Sequence, residues 1–513
     1  MKRLIYLHPF ILAAISAVIL FVSMSNVGIN ISPADVIIPT VWALVICLVL
    51  YLVSYLLTRQ LQSAALITSL FVLGLIHLWY IFLAVICITL LSILIFKVVL
   101  KKVHLSDFNV VLTIISIFIF GFYLFRFVSF IVANPPLESS SRATEPVMAG
   151  QRVTASTGRL PDIYYIILDG YGRQDMLQEV HGFDDSPFIT ALQQRGFVIA
   201  PKSQSNYSRT LLSLSSSLNM QYLDTLSAAM GNSNLWWPAG DSIQHSQVRS
   251  FLESQGYKTV FISSGWDYTD IRDGDMYLKA YPIMLRNFQM GFISWTNLRF
   301  FGNNWSGISF PSANESRRVV LHDFEALEST VEIAGPKFVF SHIMAPHPPY
   351  IFGSDGGPAA NNIVHPDPGT PGYDEAILRY RQGYLDQMAF INQKTLDMLD
   401  AILANSITPP VIILQGDHGP DVYMDFEDPA KACLYERYSI LNAYYLPGVP
   451  ADALPADISP VNSFRLVFNR YFGTDLAMLP NQRYFSTDYR LYQFQNVTSL
   501  TENTCSLPSA ALP

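Results

Sequence analysis

A chain of 513 residues is long enough for two or three domains. Half of it is apolar and only 14% is charged, which excludes a soluble enzyme of ordinary composition, and the net charge of −8 argues against nucleic acid as a partner. The apolar excess is concentrated in the first 133 residues, while the remainder has the balance of a globular domain.

Within residues 1–133 the hydrophobic runs predict about five membrane spans. Leu4 to Met24 is the first and Ile38 to Leu57 the second. Residues 64–100 exceed the roughly 20 residues of one crossing, so they read as two spans turning near His77-Leu78-Trp79-Tyr80. Val110 to Phe130 is the fifth. Five spans put Lys2 and Arg3, Arg59, and Lys97, Lys101 and Lys102 on one side, and the loop Asn26–Asp35 carries no Lys or Arg. The positive-inside rule then makes the N-terminus cytoplasmic and everything after Phe130 extracytoplasmic. No small-residue cleavage site follows the first span, so it reads as a retained anchor.

Residues 134–160 read as a linker, with Pro135-Pro136, Ser139-Ser140-Ser141 and no helical or strand period. From 161 to 513, strand-like runs at 163–168, 258–263, 338–344, 411–414 and 442–446 alternate with helical periods. The clearest helix is 374–404, with Ile377, Tyr380, Tyr384, Ile391, Met398 and Ile402 near one face. Such alternation predicts a mostly parallel central sheet covered by helices on both faces, an α/β/α sandwich. Cys433 and Cys505 fall in this domain and could pair in an oxidising compartment; sequence alone leaves the pairing open.

Two strand-like runs end in an acid beside glycine. Ile163-Tyr164-Tyr165-Ile166-Ile167-Leu168 runs into Asp169-Gly170, and Val411-Ile412-Ile413-Leu414 leads to Gly416-Asp417-His418-Gly419. Asp169, Asp417 and His418 at the carboxyl edge of a parallel sheet are candidate ligands for one divalent metal, Mn, Mg or Zn. Thr210 stands where a loop gives way to a helical period, in Ser205-Asn206-Tyr207-Ser208-Arg209-Thr210. A helix start favours an anionic phosphate, and a nearby metal could make a hydroxyl there nucleophilic. Ser205 and Ser208 lie close enough to compete for that role, and Ser208 or Thr210 could instead simply cap the helix. His342 and His347, in Ser341-His342-Ile343-Met344-Ala345-Pro346-His347-Pro348-Pro349-Tyr350, follow another strand and are candidate proton donors. The aromatic pair Trp236-Trp237 and the stretch Phe288 to Trp305 suit a membrane interface or ordinary packing, and Trp266, just after a strand, suits a cleft lining or ordinary packing.

In this order, Asp169-Gly170, Thr210-Leu211-Leu212-Ser213-Leu214, His347-Pro348-Pro349-Tyr350 and Gly416-Asp417-His418-Gly419 resemble the alkaline phosphatase superfamily. Within it the chain is similar to the sulfatase-like branch that includes lipoteichoic acid synthases and phosphoethanolamine transferases. The resemblance implies a membrane-anchored enzyme in the cell membrane with an extracytoplasmic catalytic domain. It implies Thr210 as nucleophile on a metal held by Asp169, Thr210, Asp417 and His418, with His347 facing substrate and His342 as helper. The expected reaction moves a phosphoglycerol or phosphoethanolamine type head group from a phospholipid donor to an envelope glycan or polymer. The alternatives are a phosphodiester or sulfuric ester hydrolase of the same architecture, and a catalytically silent domain that binds the envelope. Sulfatases use Cys or Ser in a C/S-x-P-x-R motif; here no cysteine is near, and Ser205-Asn206-Tyr207-Ser208-Arg209 lacks the proline. No histidine follows His418, which argues against a second complete metal site.

Overall fold

The computed structural model describes residues 6–26, 33–75, 104–133, 160–281, 287–296, 313–359, 365–366, 370–502 and 505. The chain forms two compact units. One comprises Met1–Pro136 with Leu285–Phe310, the other Leu137–Met284 with Pro311–Pro513. The described helix Asn287–Trp295 thus belongs with the apolar N-terminal part, although its sequence interrupts the globular domain.

In the first unit, Pro33–Thr58 and Ser106–Val132 are long and apolar enough to cross a membrane, and His8–Met24 and Leu61–Gly74 are shorter apolar helices. Leu57, Phe118 and Val132 are each at least 74% exposed, a surface that water does not tolerate in a row but lipid does. His8 is buried among these helices and bonds Ser69 Oγ at 2.6 Å and Asn109 Oδ1 at 2.9 Å. Phe288 and Phe292, on the helix Asn287–Trp295, are buried against Phe21, Val22 and Val36 of the same unit. The turn expected near His77 to Tyr80, the basic cluster Lys97 to Lys102, the linker at 134–159 and the aromatics Phe300, Phe301 and Trp305 lie outside the described residues.

The second unit is built on a seven-stranded sheet of β1 (Ile163–Leu168), β2 (Val198–Ile199), β3 (Lys258–Ile262), β4 (Met276–Leu278), β5 (Lys337–Ile343), β6 (Val411–Gln415) and β7 (Asn442–Tyr445). Its order is β2-β7-β6-β1-β5-β3-β4. β1 pairs in parallel with both β5 and β6, and β3 in parallel with β5 and β4. Only β7 runs against its neighbours. The β1 side chains are all buried, and they alternate between two cores. Ile163, Tyr165 and Ile167 join one; Tyr164, Ile166 and Leu168 join the other. β6 divides likewise, Val411 and Ile413 against Ile412 and Leu414. Strands this apolar on both faces need a helical layer on each side. Helices Thr210–Asn219 and Pro460–Tyr471 contribute to the first core; Ala313–Ser329 and Tyr373–Asn405 contribute to the second. The expected sandwich with a mostly parallel sheet is the observed one.

Cys433 and Cys505 are joined in a disulfide, their Cα atoms 5.2 Å apart across 72 positions of sequence. The bridge ties the C-terminal end of the described chain to the residue just before the helix Leu434–Tyr438.

Beneath the site, the second core holds an acid. Asp185 is buried; Tyr171 Oη lies 3.0 Å from its Oδ2, and Asn392 Nδ2 donates to its Oδ1 at 2.7 Å. Tyr171 Oη is also 2.5 Å from Asn392 Oδ1, so its single proton serves that acceptor when the Asp185 carboxyl is protonated and donates to Tyr171. Burial pushes this carboxyl up to about 7, against the opposing pull of its Asn392 and Tyr171 bonds. Folding therefore favours the protonated acid. Its contribution is complete below the unfolded value of about 3.9 and is lost as pH climbs through 7, a change of up to about 4 kcal/mol. An amide mimics the neutral acid. Asp185→Asn is expected to raise the melting temperature most at pH 8, less at pH 5, and little below pH 4, as a thermal scan against pH would show.

Candidate metal centre and catalytic cleft

Because β1 lies between β5 and β6, three carboxyl ends meet at the middle of the sheet. Ile167 of β1 is level with His342 on one side and Gln415 on the other. The residues that follow are Asp169 after β1, Met344 to Tyr350 after β5, and Gly416 to Gly419 after β6. The glycines are required by contact. A Cβ on Gly416 would stand 2.4 Å from the Tyr171 carbonyl oxygen, and one on Gly419 would stand 2.0 Å from that of Glu436. Gly170 has φ +76°, and its N–H donates to Asp417 Oδ1 at 3.0 Å.

Asp169 Oδ1 is 3.5 Å from His418 Nε2, and Asp417 Oδ2 is 3.3 Å from the same nitrogen. On the other side, His342 Nε2 is 3.2 Å from Asp169 Oδ2. Two overlapping sets, Asp169-His347-His418 and Asp169-His342-Asp417, each bring their ligand atoms within 4.8 Å of one another. Asp169 Oδ1, Asp417 Oδ2 and His342 Nε2 are buried and make no hydrogen bond. Buried carboxylate oxygens are not left bare without cost, and two acids beside imidazoles are the donor set of a divalent cation. The residues present therefore fit such an ion.

Electrostatics points the same way. Burial alone would raise the Asp169 carboxyl, but the imidazoles of His347, His342 and His418 hold it below the usual carboxylate range. Burial and then the Asp169 charge push Asp417 up to about 6. Burial and the nearby Arg437 keep His418 neutral, well below the ordinary imidazole value. His418 Nδ1–H donates to the Gly419 carbonyl at 2.9 Å, which leaves Nε2 with its lone pair toward the acids. His347 moves the other way. Burial would lower it, but the Asp169 and Asp421 carboxylates raise it, and its Nδ1–H donates to the Pro348 carbonyl at 2.6 Å.

Thr210 is the first residue of the helix Thr210–Asn219, and its hydroxyl donates to His418 Nε2 at 3.0 Å. The competing hydroxyls are placed otherwise. Ser205 Oγ is buried and donates to the Asp417 carbonyl at 2.6 Å; Ser213 Oγ donates to the same carbonyl at 2.7 Å. Both serines hold the Asp417 backbone in place. Ser208 is buried. A cleft of about 220 Å³ opens over the site, lined by Asp169, Thr210, His347 and His418 among others; neither Ser205, Ser208 nor His342 reaches it. His342 sits within β5 with its Nδ1 2.9 Å from Thr269 Oγ1, so it backs Asp169 from behind.

Sequence reasoning did not single out Arg437, Phe426 or Arg209, all of which line the cleft. Arg437 donates to the carbonyls of Ser208 at 2.7 Å and Gly419 at 3.0 Å, so it pins the loop before Thr210 to the loop after His418. It lies beside Glu436 in the short helix Leu434–Tyr438, with no local sequence signal to mark it. Trp236 and Trp266 also line the cleft, their rings edge to face at 6.5 Å.

The family model for Sulfatase matches residues 161–459. The chain belongs to the sulfatase family. It is an enzyme of the sulfatase-like alkaline phosphatase superfamily, whose members are phosphotransferases and hydrolases. Among solved structures, the C-terminal periplasmic domain of EptC from Escherichia coli is similar over 68% of this chain and 95% of its own, at 13% identity and TM-score 0.44. That of the phosphoethanolamine transferase EptC from Campylobacter jejuni covers 65% and 94% at 10% identity and TM-score 0.36. The lipoteichoic acid synthase LtaP from Listeria monocytogenes covers 67% and 83% at 13% identity and TM-score 0.37. No curated protein sequence matches the chain.

Proposed function

We propose that this sulfatase-family enzyme is a transferase of the cell membrane that moves a phospho-head group from a phospholipid to an envelope glycan or polymer. The carrying observation is the Thr210 hydroxyl, 3.0 Å from His418 Nε2 and lining the cleft beside Asp169 and His347. A threonine cannot become the formylglycine of a sulfate hydrolase, and among the described residues no cysteine lines that cleft. The apolar helices of the first unit supply a reason for a lipid donor. The Cys433–Cys505 bridge supports an oxidising, extracytoplasmic compartment for the second unit. Five spans, with the N-terminus cytoplasmic and the linker at 134–160, complete this reading.

Asp169, Asp417, His418 and the Thr210 hydroxyl would hold the divalent cation. When bound, it supplies positive charge that makes the Thr210 hydroxyl more acidic and offsets charge on the phosphoryl oxygens. Thr210, its hydroxyl proton already lost to solvent, attacks phosphorus through the Oγ1 alkoxide, the bond to the lipid oxygen breaks, and Thr210 is later released as the same alkoxide. His347, which lines the cleft and whose protonated form the Asp169 and Asp421 carboxylates favour, gives that oxygen a proton. The head group is left as a phosphoester of Thr210. An acceptor hydroxyl then yields its proton to His347 and attacks the same phosphorus, releasing Thr210. His342 positions Asp169.

In vesicles containing phosphatidylglycerol or phosphatidylethanolamine labelled in the head group, the purified full chain is expected to transfer label to a glycan acceptor and to release diacylglycerol. Release of the label only to water, with acceptor present, would make the enzyme a hydrolase instead.

A further inference from the structure

Arg437 is a cation that the protein takes out of water and does not neutralise. It is 3% exposed, and among the described residues it bonds two backbone carbonyls and pairs with no carboxylate. Its Nε donates to the Ser208 carbonyl at 2.7 Å and its Nη1 to the Gly419 carbonyl at 3.0 Å, so among the described residues Nη2 has no partner. The other cations of the cleft differ. Arg209 Nη1 is paired with Asp488 Oδ1 at 2.6 Å and its Nη2 is enclosed, while His347 has the Asp169 and Asp421 carboxylates to offset it.

Arg437 lines the same cleft as Thr210, His347 and His418, so what little of it is exposed opens there. The two carbonyls fix where the guanidinium stands. Ser208 comes two residues before Thr210, and Gly419 directly follows His418. The group lies over the Phe426 ring, 5.2 Å from its centre. Its charge reaches both imidazoles of the cleft, opposing protonation of His418 and of His347. A buried charge without a counter-charge is costly, and a guanidinium kept in that state beside a nucleophile suits an anionic oxygen.

We propose that Arg437 is a catalytic residue, whose Nη2 donates to a non-bridging oxygen of the phosphorus that Thr210 attacks and holds it through the transfer. Pinning the two loops uses Nε and Nη1; the chemistry uses Nη2. A donor already in place needs no rearrangement as charge builds on that oxygen. Every phosphodiester carries two such oxygens, so the role is the same whatever head group is moved. It rests on reading the cleft as a phosphodiester site.

The test uses methyl p-nitrophenyl phosphate and the two enantiomers of its phosphorothioate on the metal-loaded full chain. Arg437→Gln is expected to lose about a hundredfold or more in kcat/KM on the oxygen ester. Sulfur accepts a hydrogen bond poorly. On the enantiomer whose sulfur replaces the oxygen met by Nη2, the variant should therefore lose under about tenfold, and on the other enantiomer the full amount. Loss of the pin alone would slow all three esters equally, and that result would overturn the proposal. A melting temperature that still rises on adding metal reports that the variant is folded. If Arg437→Gln does not fold, a structure of wild type with Mn and orthovanadate decides. Nη2 is expected within about 3.2 Å of a vanadate oxygen, and a bound vanadate that leaves Nη2 without a bond would overturn the role. If phospholipid label passes only to water, the transferase reading fails while the enantiomers still decide Arg437. No turnover of any diester by wild type overturns both.

Discussion

Thr210→Ala is expected to abolish turnover of any phosphodiester substrate, by at least about a thousandfold, while the protein still binds its metal through the remaining ligands. The size follows from chemistry. Removing a nucleophile from a site that works as a unit leaves only the catalysis due to binding and charge. The fold has little at stake, because the Thr210 side chain is partly exposed and its hydroxyl bonds only groups of the site itself, His418 and Asp417. Wild type given substrate without acceptor should accumulate a phosphoester on the peptide containing Thr210, found by mass spectrometry, and Thr210→Ala should not. A phosphoester on Ser205 or Ser208 would move the nucleophile. Ser205 would have to give up its bond to the Asp417 carbonyl to serve.

Asp417→Asn should show the second large effect, with opposite signs on binding and on stability. Asp169 and Asp417 are buried within reach of one ion, and Asp417 is pushed up to about 6 by burial and by its acidic neighbour. Without a cation this pairing costs stability; with one it becomes the binding energy. An ion present at about a thousand times its Kd stabilises the folded state by about 4 kcal/mol. Wild type is therefore expected to gain melting temperature on adding Mn, Mg or Zn and to lose it with a chelator. Asp417→Asn should show no such gain, bind the ion far more weakly, and be at least as stable as wild type in chelator. Calorimetric scans with each metal and with chelator check this. A wild type indifferent to all three metals and to chelator, in melting and in turnover, would remove the cation from the site.

Much of this architecture was legible in one dimension. Ile163–Leu168 and Val411–Leu414 are runs of buried, apolar or aromatic residues that end close to an acid and a glycine, and local pattern is enough to show where such strands end. The helix period at Tyr373–Asn405 was readable for the same reason: side chains 3.6 residues apart must share a face. Thr210 stood at a visible change from loop to helix, but its choice over Ser205 and Ser208 came only from which hydroxyl reaches the cleft. His342 and His347 look alike in sequence, five residues apart; one is enclosed in β5 behind Asp169, the other faces the cleft.

Local spacing decides strand ends, helix faces and the kinds of side chain available, because those depend on neighbours a few residues away. Which ends become adjacent depends on strand order, and the placement of β1 between β5 and β6 brings together Asp169, His347 and His418, which lie 71 to 249 positions apart in sequence. Folding also assigned the helix Asn287–Trp295 to the apolar unit, joined Cys433 to Cys505, and carried Arg209, Phe426 and Arg437 together at the cleft. None of these has a local signature, since each is a meeting of distant segments whose energy exists only once the sheet has ordered them.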